Sequence, residues 1–338
     1  MEYSIVTEQL RKVFTSAKKK AGVWGSVKGL VSRETTEKVA VESLDLAIRA
    51  GEFVGFLGPN GAGKTTTIKM LTGILYPTSG KAAVLGYTPS ERNPDLLRQI
   101  ALVMGNRQQL WWDLPARESF TVLQKVYDVP DADYRRRLDR LVHDLDLADK
   151  LDQQVRKMSL GERMKCELVA ALLHGPRVVF LDEPTIGLDV VSQQRIRTFL
   201  KEFNQTEGCT IVLTSHYMQD VEELCERVIV INHGAKVYDG TLDTLKSQYA
   251  PSRRLRVTLS TDEPPSVWPE GVRLVEQDGP LLLLDVPASD VARVTGQILQ
   301  ELPVADLSLE EVAVDEIVSQ LFAETNPVSR ETVTSGEA

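Results

Sequence analysis

The segment GPNGAGKTT at residues 58–66 has the residue types and spacing of a loop that binds phosphate groups. It matches the pattern G-x-x-x-x-G-K-[ST], follows the strand-like run FVGFL and precedes the helix-like TTIKMLTGIL. Glycines let successive backbone N–H groups point at one centre, and the helix that follows adds the positive end of its dipole. The binding residues predicted here are Gly58, Pro59, Asn60, Gly61, Ala62, Gly63, Lys64, Thr65 and Thr66.

Three side chains of this loop have predicted roles on a nucleotide such as ATP. Lys64 would reach the β- and γ-phosphate oxygens, and Thr65 would place its hydroxyl on Mg²⁺. Thr66 would place its hydroxyl or its amide near the α-phosphate.

Two acidic residues follow the apolar run VVFL at 178–181. Asp182 would bind Mg²⁺ through water, as in a Walker B strand. Glu183 comes next and could orient the attacking water or accept its proton, which makes it the predicted catalytic base.

Strands and helices alternate along the chain in the way needed to position these residues. Residues 39–57 read as two strands, and residues 178–183, 210–216 and 227–232 as buried parallel strands, because they are short and rich in β-branched residues. Residues 116–175 read as mostly helical, with apolar positions at helical spacing. After residue 250, strand-like runs at 254–260 and 281–286 and helical patterns at 289–302 and 314–322 indicate a small α+β domain.

Composition excludes several classes of protein. The chain has 338 residues, 42% of them hydrophobic and 26% charged, which is typical of a folded globular protein. Its net charge of −9 argues against nucleic acid as a partner. Three cysteines without CxxC spacing indicate reduced thiols rather than disulfides or a zinc site. No stretch approaches the length of a membrane span, so any membrane-crossing part is expected on another chain.

Residues 11–38 carry eight basic residues and two acidic ones, which is unusual in an acidic chain. They could contact anionic lipid or a membrane partner, or they could be a solvated hairpin loop. Because charge runs are usually solvated, the second interpretation is favoured.

Three further segments carry a resemblance to the ATP-binding-cassette (ABC) family. MSLGERMK at 158–165 resembles its LSGGQ signature, DEPTIGLD at 182–189 its Walker B and D-loop, and TSHYM at 214–218 its H-loop. The resemblance covers roughly residues 3–245, and the motif strings look most like bacterial exporters whose permease is a separate chain. In that family, two copies pack head to tail and enclose two ATP molecules.

The resemblance implies further site residues. Ser159, Gly161 and Glu162 of one copy would complete the nucleotide site of the other, and Asp189 would lie at the seam between the copies. His216 would contact the γ-phosphate, so the catalytic set is Glu183, His216 and Lys64. Leu160 replaces the first glycine of LSGGQ and Glu162 replaces its glutamine. Because the anion contacts come from Ser159 and Gly161, we expect this segment still to bind the nucleotide.

Two assignments stay open. The family's Q-loop glutamine aligns with Asn106, a predicted metal ligand, and Gln108 or Gln109 could replace it. The aromatic residue that stacks on adenine is predicted to be Phe14, with Tyr3 and Trp24 as rivals and with a plain strand-core role for Phe14 nearly as favourable.

Trp111 and Trp112 adjoin the Q-loop position, where the family meets its permease. They are predicted either to anchor the permease or, at even odds, to belong to the core of the helical subdomain. The side chains of Cys166, Met158 and Met164 are expected to be buried in the protein core.

The predicted fold is α/β: an ABC nucleotide-binding domain of the P-loop NTPase class over residues 1–250, with a parallel-sheet core, an antiparallel β subdomain and a helical subdomain at about 88–175. A C-terminal α+β domain over 251–324, accessory or regulatory, and a flexible tail over 325–338 complete it. The predicted function is ATP hydrolysis, with Mg²⁺, that drives export through separate permease subunits at the cytoplasmic face of the membrane. The alternatives are a soluble ABC ATPase of repair or translation and a regulatory binding module acting through residues 251–324.

Overall fold

The structure, a computed structural model, describes residues 2–17, 35–105, 107–249, 252–261, 268 and 270–324. It forms two compact units, Met1–Asp239 and Gly240–Ala338. The strands in the described residues are β1 (Tyr3–Ala17), β2 (Thr35–Arg49), β3 (Phe53–Leu57), β4 (Ser79–Val84), β5 (Ile100–Met104), β6 (Val178–Asp182), β7 (Thr210–Thr214), β8 (Arg227–Asn232), β9 (Ala235–Thr241), β10 (Ser252–Leu259), β11 (Arg273–Asp278), β12 (Leu281–Pro287) and β13 (Val304–Glu311). The α-helices are α1 (Lys64–Leu71), α2 (Pro94–Leu97), α3 (Ala116–Val126), α4 (Asp131–Asp144), α5 (Leu160–Leu172), α6 (Val190–Glu207), α7 (Met218–Leu224), α8 (Leu242–Tyr249), α9 (Val291–Glu301) and α10 (Val314–Glu324). Three short 3₁₀ turns lie at Pro89–Glu91, Val155–Lys157 and Ala288–Asp290.

The first unit is built on a nine-stranded sheet with the order β4-β1-β2-β9-β8-β3-β7-β6-β5. Strands β5, β6, β7, β3 and β8 run parallel, whereas β1 pairs antiparallel with β2 and β4. Strands β3, β6 and β7 are buried at every position, which explains why each is a continuous apolar run. The predicted α/β fold with a parallel core and an antiparallel β subdomain is confirmed.

The register of the parallel strands brings the chemistry-bearing residues to one edge of the sheet. Asp182, the last residue of β6, pairs with Thr214, the last residue of β7. Strand β3 lies beside β7 and ends at Leu57, directly before the glycine-rich loop. Since parallel strands place their carboxyl ends together, the loop after β3 and the acids after β6 meet at this edge.

The stretch predicted to be helical contains α3, α4 and α5, with a 3₁₀ turn before α5. Helix α5 is largely buried, and Met158, Met164 and Cys166 are at most 4% exposed, as expected. Burial raises the pKa of the Cys166 thiol to about 12, so this thiol stays protonated at neutral pH. Across the part of the chain that the structure describes, no helix combines the length and apolarity needed to cross a membrane.

The second unit contains a four-stranded antiparallel sheet with the order β11-β12-β10-β13. Alternate residues of β10 and β12 are buried with the apolar side of α9 in one core, which includes Leu255, Val257, Leu282, Leu284 and Ile298. Helix α8, which the sequence prediction placed in the first domain, lies in this unit and contacts α10. Strands β11 and β13 were not predicted, because both lie at the sheet edges and neither has the clean alternation of buried and exposed positions seen in β10 and β12.

Candidate functional site

The glycine-rich loop between β3 and α1 has the backbone geometry that its glycines predict. Gly61 and Gly63 have φ angles of 86° and 108°, in the region where residues with a Cβ are strained. A Cβ on Gly63 would lie 2.4 Å from the carbonyl oxygen of Ala40, and one on Gly58 would lie 2.4 Å from that of Ile231. Packing therefore requires glycine at positions 58 and 63, and conformation requires it at positions 61 and 63.

The Lys64 side chain lies across the inside of this loop. It is only 6% exposed, and its Nζ donates to the carbonyl oxygen of Gly58 at 2.5 Å and to that of Pro59 at 3.3 Å. Burial lowers the Lys64 pKa, while the nearby charges of Glu183 and Asp182 oppose the decrease. A phosphate bound in the loop would oppose this decrease and raise the pKa, because a negative charge favours the ammonium form.

Thr65, Asp182 and Thr214 form a set of oxygen atoms at the end of the sheet. The Thr65 hydroxyl donates to Asp182 Oδ2 at 3.0 Å, and the Thr214 hydroxyl donates to Asp182 Oδ1 at 2.7 Å. Hydroxyl and carboxylate oxygens are the ligands that Mg²⁺ prefers, so the residues present fit this ion. Thr214 was not singled out in the sequence, where a threonine at the end of a strand carries no distinctive signal.

Glu183 and His216 face each other across the ends of β6 and β7. His216 Nε2 lies 2.9 Å from Glu183 Oε1, and both side chains are partly exposed. Glu183 has φ 57°, a left-handed backbone conformation that is uncommon for a non-glycine residue. Its backbone N–H donates to the carbonyl oxygen of Thr214 at 3.0 Å, which holds this turn against the neighbouring strand.

A groove of about 210 Å³ opens beside the loop. Its lining includes Glu183, Lys38 and Ala40. It also includes eight residues predicted to bind the nucleotide, namely Phe14, Pro59, Asn60, Gly61, Gly63, Lys64, Thr65 and Thr66. The Phe14 ring is 41% exposed, so the strand-core interpretation of Phe14 is wrong. Lys12 Nζ lies 5.2 Å from the centre of this ring. Of the rivals, Tyr3 is 37% exposed and does not line the groove, and Trp24 lies outside the described residues.

Helix α5 begins at the predicted signature with a reciprocal capping arrangement. The backbone N–H of Glu162 donates to Ser159 Oγ at 3.2 Å, and the backbone N–H of Ser159 donates to Glu162 Oε2 at 2.9 Å. The latter bond, more than the 3.2 Å contact with Lys150, lowers the Glu162 pKa. Glu162 stands where the LSGGQ signature has glutamine, and the helix cap with Ser159 is still formed. The Ser159 hydroxyl accepts in this cap, so its own proton remains available to donate.

Gly161 packs directly on the start of α6. A Cβ at Gly161 would lie 2.3 Å from Ser192 Oγ, so no larger residue fits here. Asp189 caps α6, accepting from the Ser192 backbone N–H at 2.9 Å and from its hydroxyl at 2.7 Å, and these bonds lower the Asp189 pKa. The signature turn and the D-loop aspartate are therefore neighbours within one chain, but no described residue of either lines the groove beside Lys64.

The Q-loop assignment is narrowed by the contacts of Gln109. Its side-chain amide donates to the carbonyl oxygen of Glu167 at 3.2 Å, and its backbone N–H donates to the Glu167 carboxylate at 3.1 Å. Gln109 lines a different groove, together with Tyr127, and not the one beside Lys64. Gln108 is exposed, and Asn106, the predicted metal ligand, lies outside the described residues. Glu167, buried in α5 with a pKa raised by burial, was missed because a helical glutamate reads as solvated.

Trp111 and Trp112 are each 44% exposed, so their assignment to the core is wrong. The guanidinium of Arg163, in the first turns of α5, lies 5.0 Å from the centre of the Trp112 ring. The Trp112 carbonyl oxygen accepts from the backbone N–H of Arg156 at 3.0 Å. Two exposed aromatic side chains are therefore adjacent in the chain, and the ring of Trp112 contacts the signature helix through Arg163. Of the basic segment 11–38, residues 18–34 lie outside the described residues.

Comparison with known proteins gives two family matches in this chain. The family described as ABC transporter matches residues 41–186, and the one described as EvrA-like ABC transporter, C-terminal domain, matches residues 251–310. Among curated relatives, the chain is 33% identical over 206 residues to the ABC transporter ATP-binding protein NatA of Bacillus subtilis, covering 61% of this chain and 83% of NatA. It is 32% identical to the linearmycin resistance ATP-binding protein LnrL of the same species, covering 66% of this chain and 71% of LnrL.

Solved structures with the same fold include two ATP-binding cassettes. One is the ATP-binding subunit of an ABC transporter, with a TM-score of 0.60, 25% identity and coverage of 72% of this chain and 92% of that one. The other is the cassette MJ0796 in a dimeric post-hydrolysis state bound to ADP and Pi, with a TM-score of 0.58, 22% identity and coverage of 70% and 98%. The likeness to MJ0796 concerns the fold.

Proposed function

Since this chain belongs to the family of ABC transporter ATP-binding proteins, we propose that it drives export through separate permease subunits, which it meets at the cytoplasmic face of the membrane. ATP hydrolysis in transport is the family's activity. The relatives NatA and LnrL are ATP-binding proteins of transport and resistance, and neither is named as a repair or translation ATPase. Relatives named for resistance to linearmycin and to daunorubicin and doxorubicin support the direction of transport.

One observation carries the proposed mechanism. The groove beside Lys64 gathers the loop amides and Glu183, while the Ser159 turn at the start of α5 contributes nothing to it. A capped helix start with a free hydroxyl proton and oriented N–H groups is a site for an anion. Such a turn can close on a nucleotide only if it comes from a second copy, which supports a head-to-tail pair.

Within one copy, the loop amides and Lys64 bind the β- and γ-phosphates, and Phe14 stacks on the base. Thr65 and Asp182 would hold Mg²⁺, and the ion would offset the negative charge of the phosphates. Glu183 orients the attacking water and accepts its proton, and His216 donates from Nε2 to the γ-phosphate. Of the three Q-loop candidates, Gln108 and Asn106 remain, because Gln109 is held by Glu167.

The second copy supplies Ser159, Gly161 and Glu162, with Asp189 at the seam. ATP binding favours closure of the pair of copies, and the pair opens again after hydrolysis, when phosphate leaves. This motion is passed to the permease subunits. Trp111 and Trp112 form the proposed contact with them, because exposed aromatic rings suit a contact that excludes water and Arg163 holds the ring of Trp112. The domain bounds 1–250, 251–324 and 325–338, and the accessory role of the second, belong to the same proposal.

The test is purification of the tagged full-length chain from detergent-solubilised membranes, with measurement of its ATPase activity. We expect a polytopic membrane protein to be retained in fixed proportion and the complex, reconstituted in vesicles, to hydrolyse ATP. A chain that purifies alone and whose ATPase activity rises with added DNA or RNA would contradict the proposal.

A further inference from the structure

An ion pair lies fully buried behind the catalytic edge of the sheet. Arg197 of α6 is 1% exposed and Asp220 of α7 is 0% exposed, with Arg197 Nη1 3.0 Å from Asp220 Oδ1. The rest of the guanidinium is also bonded, from Nε to Glu223 at 3.1 Å and from Nη2 to Gln194 at 2.8 Å. Neither Arg197 nor Asp220 belongs to a motif considered above.

The second oxygen of Asp220 holds two different loops. Asp220 Oδ2 accepts from the Ser215 hydroxyl at 2.7 Å and from the Thr185 hydroxyl. Ser215 Oγ in turn accepts from the backbone N–H of Tyr217 at 3.0 Å, and the carbonyl oxygen of Thr185 accepts from Gln193 on α6 at 3.3 Å. A single carboxylate therefore connects the loop after β6 with the loop after β7.

These two loops carry Glu183 and His216. Ser215 directly precedes His216, and its hydroxyl is bonded to two residues that follow His216, namely Tyr217 and Asp220. Thr185 lies two residues after Glu183. The cluster thus fixes the backbone on which the 2.9 Å contact between Glu183 and His216 depends.

Stability alone is a weak explanation for such a pair. The cost of removing two charges from water often equals or exceeds their attraction, and apolar replacements of buried pairs are commonly neutral or stabilising. A buried carboxylate that accepts from two hydroxyls and a guanidinium instead restricts each donor to one position. Here the restricted donors are the neighbours of two proposed catalytic residues.

We propose that Asp220, held by Arg197, is a positioning residue that keeps His216 aligned with Glu183 through the hydroxyls of Ser215 and Thr185. This inference rests on the proposed function, and it concerns the rate of the chemical step rather than the binding of ATP. Misplacement of a catalytic group by even 1 Å can cost about a hundredfold in rate.

Ser215→Ala and Thr185→Val test the inference, because each removes one hydroxyl and leaves the Arg197–Asp220 pair intact. Steady-state ATPase kinetics of the full-length protein would give kcat and KM, and a fluorescent ATP analogue would give the dissociation constant. We expect kcat to fall about tenfold or more in each variant, with KM and the dissociation constant within about twofold of wild type.

The chain offers a control in Arg227. It pairs with Glu52 at 2.8 Å and with Asp239 at 2.9 Å, and it forms no bond to either loop. Arg227→Gln should lower the melting temperature by as much as the hydroxyl variants do, or more, and leave kcat unchanged. Unchanged kcat in both hydroxyl variants, or loss of kcat in step with melting temperature across all three, would overturn the inference.

A double-mutant cycle separates this inference from the proposed function. If Ser215 acts through His216, then Ser215→Ala should lower kcat in the wild-type background and have no further effect on a His216→Ala chain. Additive losses would show that Ser215 acts independently and would reject the positioning role. Absence of ATPase activity in the wild-type chain would instead reject the proposed function itself.

Discussion

The imidazole Nε2 of His216 lies 2.9 Å from the carboxylate oxygen Oε1 of Glu183, across the ends of two adjacent parallel strands. The strand register that pairs Asp182 with Thr214 sets this distance, because Glu183 and His216 follow those residues closely. A γ-phosphate bound at His216 Nε2 would compete for this donor and leave the Glu183 carboxylate to a water molecule. In the proposed mechanism, this contact would link detection of the nucleotide to activation of the attacking water.

Lys64→Ala should weaken ATP binding strongly, because Lys64 is the lysine of the glycine-rich loop at residues 58–66 and its ammonium group lies among the loop's backbone atoms. Its Nζ contacts the Gly58 carbonyl oxygen, so removal also frees the loop to relax. Equilibrium binding of a fluorescent ATP analogue would measure the loss, with Lys69→Ala on the same helix as the control. Equal affinity in Lys64→Ala and the control would count against the loop as the phosphate site.

Glu162→Gln should strengthen the ATP-dependent pair of copies by a few fold. The substitution keeps an acceptor for the cap with Ser159 and removes a negative charge that would face a γ-phosphate. Lys150→Met is the control with the opposite expected effect. It removes the cation that lies 3.2 Å from Glu162, so it should weaken the ATP-dependent pair of copies. Sedimentation velocity against ATP concentration measures both, and a weaker pair in Glu162→Gln would refute a facing phosphate.

Trp112→Ala should weaken association with the permease and leave a folded protein. The ring is 44% exposed, so little core packing is lost. Circular dichroism and thermal melting establish folding, and co-purification with the permease subunits establishes association. Leu123→Ala, in the buried core of α3, is the contrasting variant and should lower the melting temperature instead. Normal association in Trp112→Ala would remove this residue from the proposed contact.

His174 gives the protein an acid-sensitive stability. Its ring stacks on Tyr127 with centroids 4.0 Å apart, and burial lowers its pKa from 6.5 to about 4. Between these values the unfolded chain binds a proton that the folded chain does not, so stability is lost as pH falls from about 6.5 toward 4. The slope is about 1.4 kcal/mol per pH unit at most.

His174→Gln should be less stable at pH 8 and should lose less of its remaining stability on acidification than wild type does. Melting temperatures between pH 4.5 and 8 would show it. A parallel displacement of the two curves, with the same acid slope, would mean that His174 has the same pKa in the folded and the unfolded protein.

The central part of the fold and the nucleotide loop could be predicted because each leaves a local pattern. The buried strands around Phe180 and Val212 are continuous apolar runs, and the turn at Gly61 and Gly63 needs residues without a Cβ. The exposure of Trp112 could not be predicted, because aromatic residues occur both in cores and on binding surfaces and the residue type alone does not distinguish the two. The residue that contacts the Trp112 ring, Arg163, is about fifty positions away in the sequence, and no local pattern indicates that contact.

The Asp220 cluster was missed for a related reason. Asp220 sits in the run MQDVEEL, where an acidic residue is ordinarily exposed, and its partners Arg197, Ser215 and Thr185 come from three other segments. The strands β11 and β13 were missed since edge strands need no continuous apolar side. Local sequence patterns do not reveal contacts between residues far apart in the chain, and the proposed positioning of His216 depends on such contacts.

The most direct test of the account is the mass of the Glu183→Gln protein in solution with Mg²⁺ and ATP, measured by light scattering after size exclusion. This variant keeps the shape of the side chain and removes the base, so it should bind ATP without turnover. We expect a dimer with ATP, a monomer without it, and a monomer with ATP once Ser159→Phe is added. A Glu183→Gln protein that binds ATP but stays monomeric, with the permease present as well as without it, would contradict the claim that two copies enclose the nucleotide.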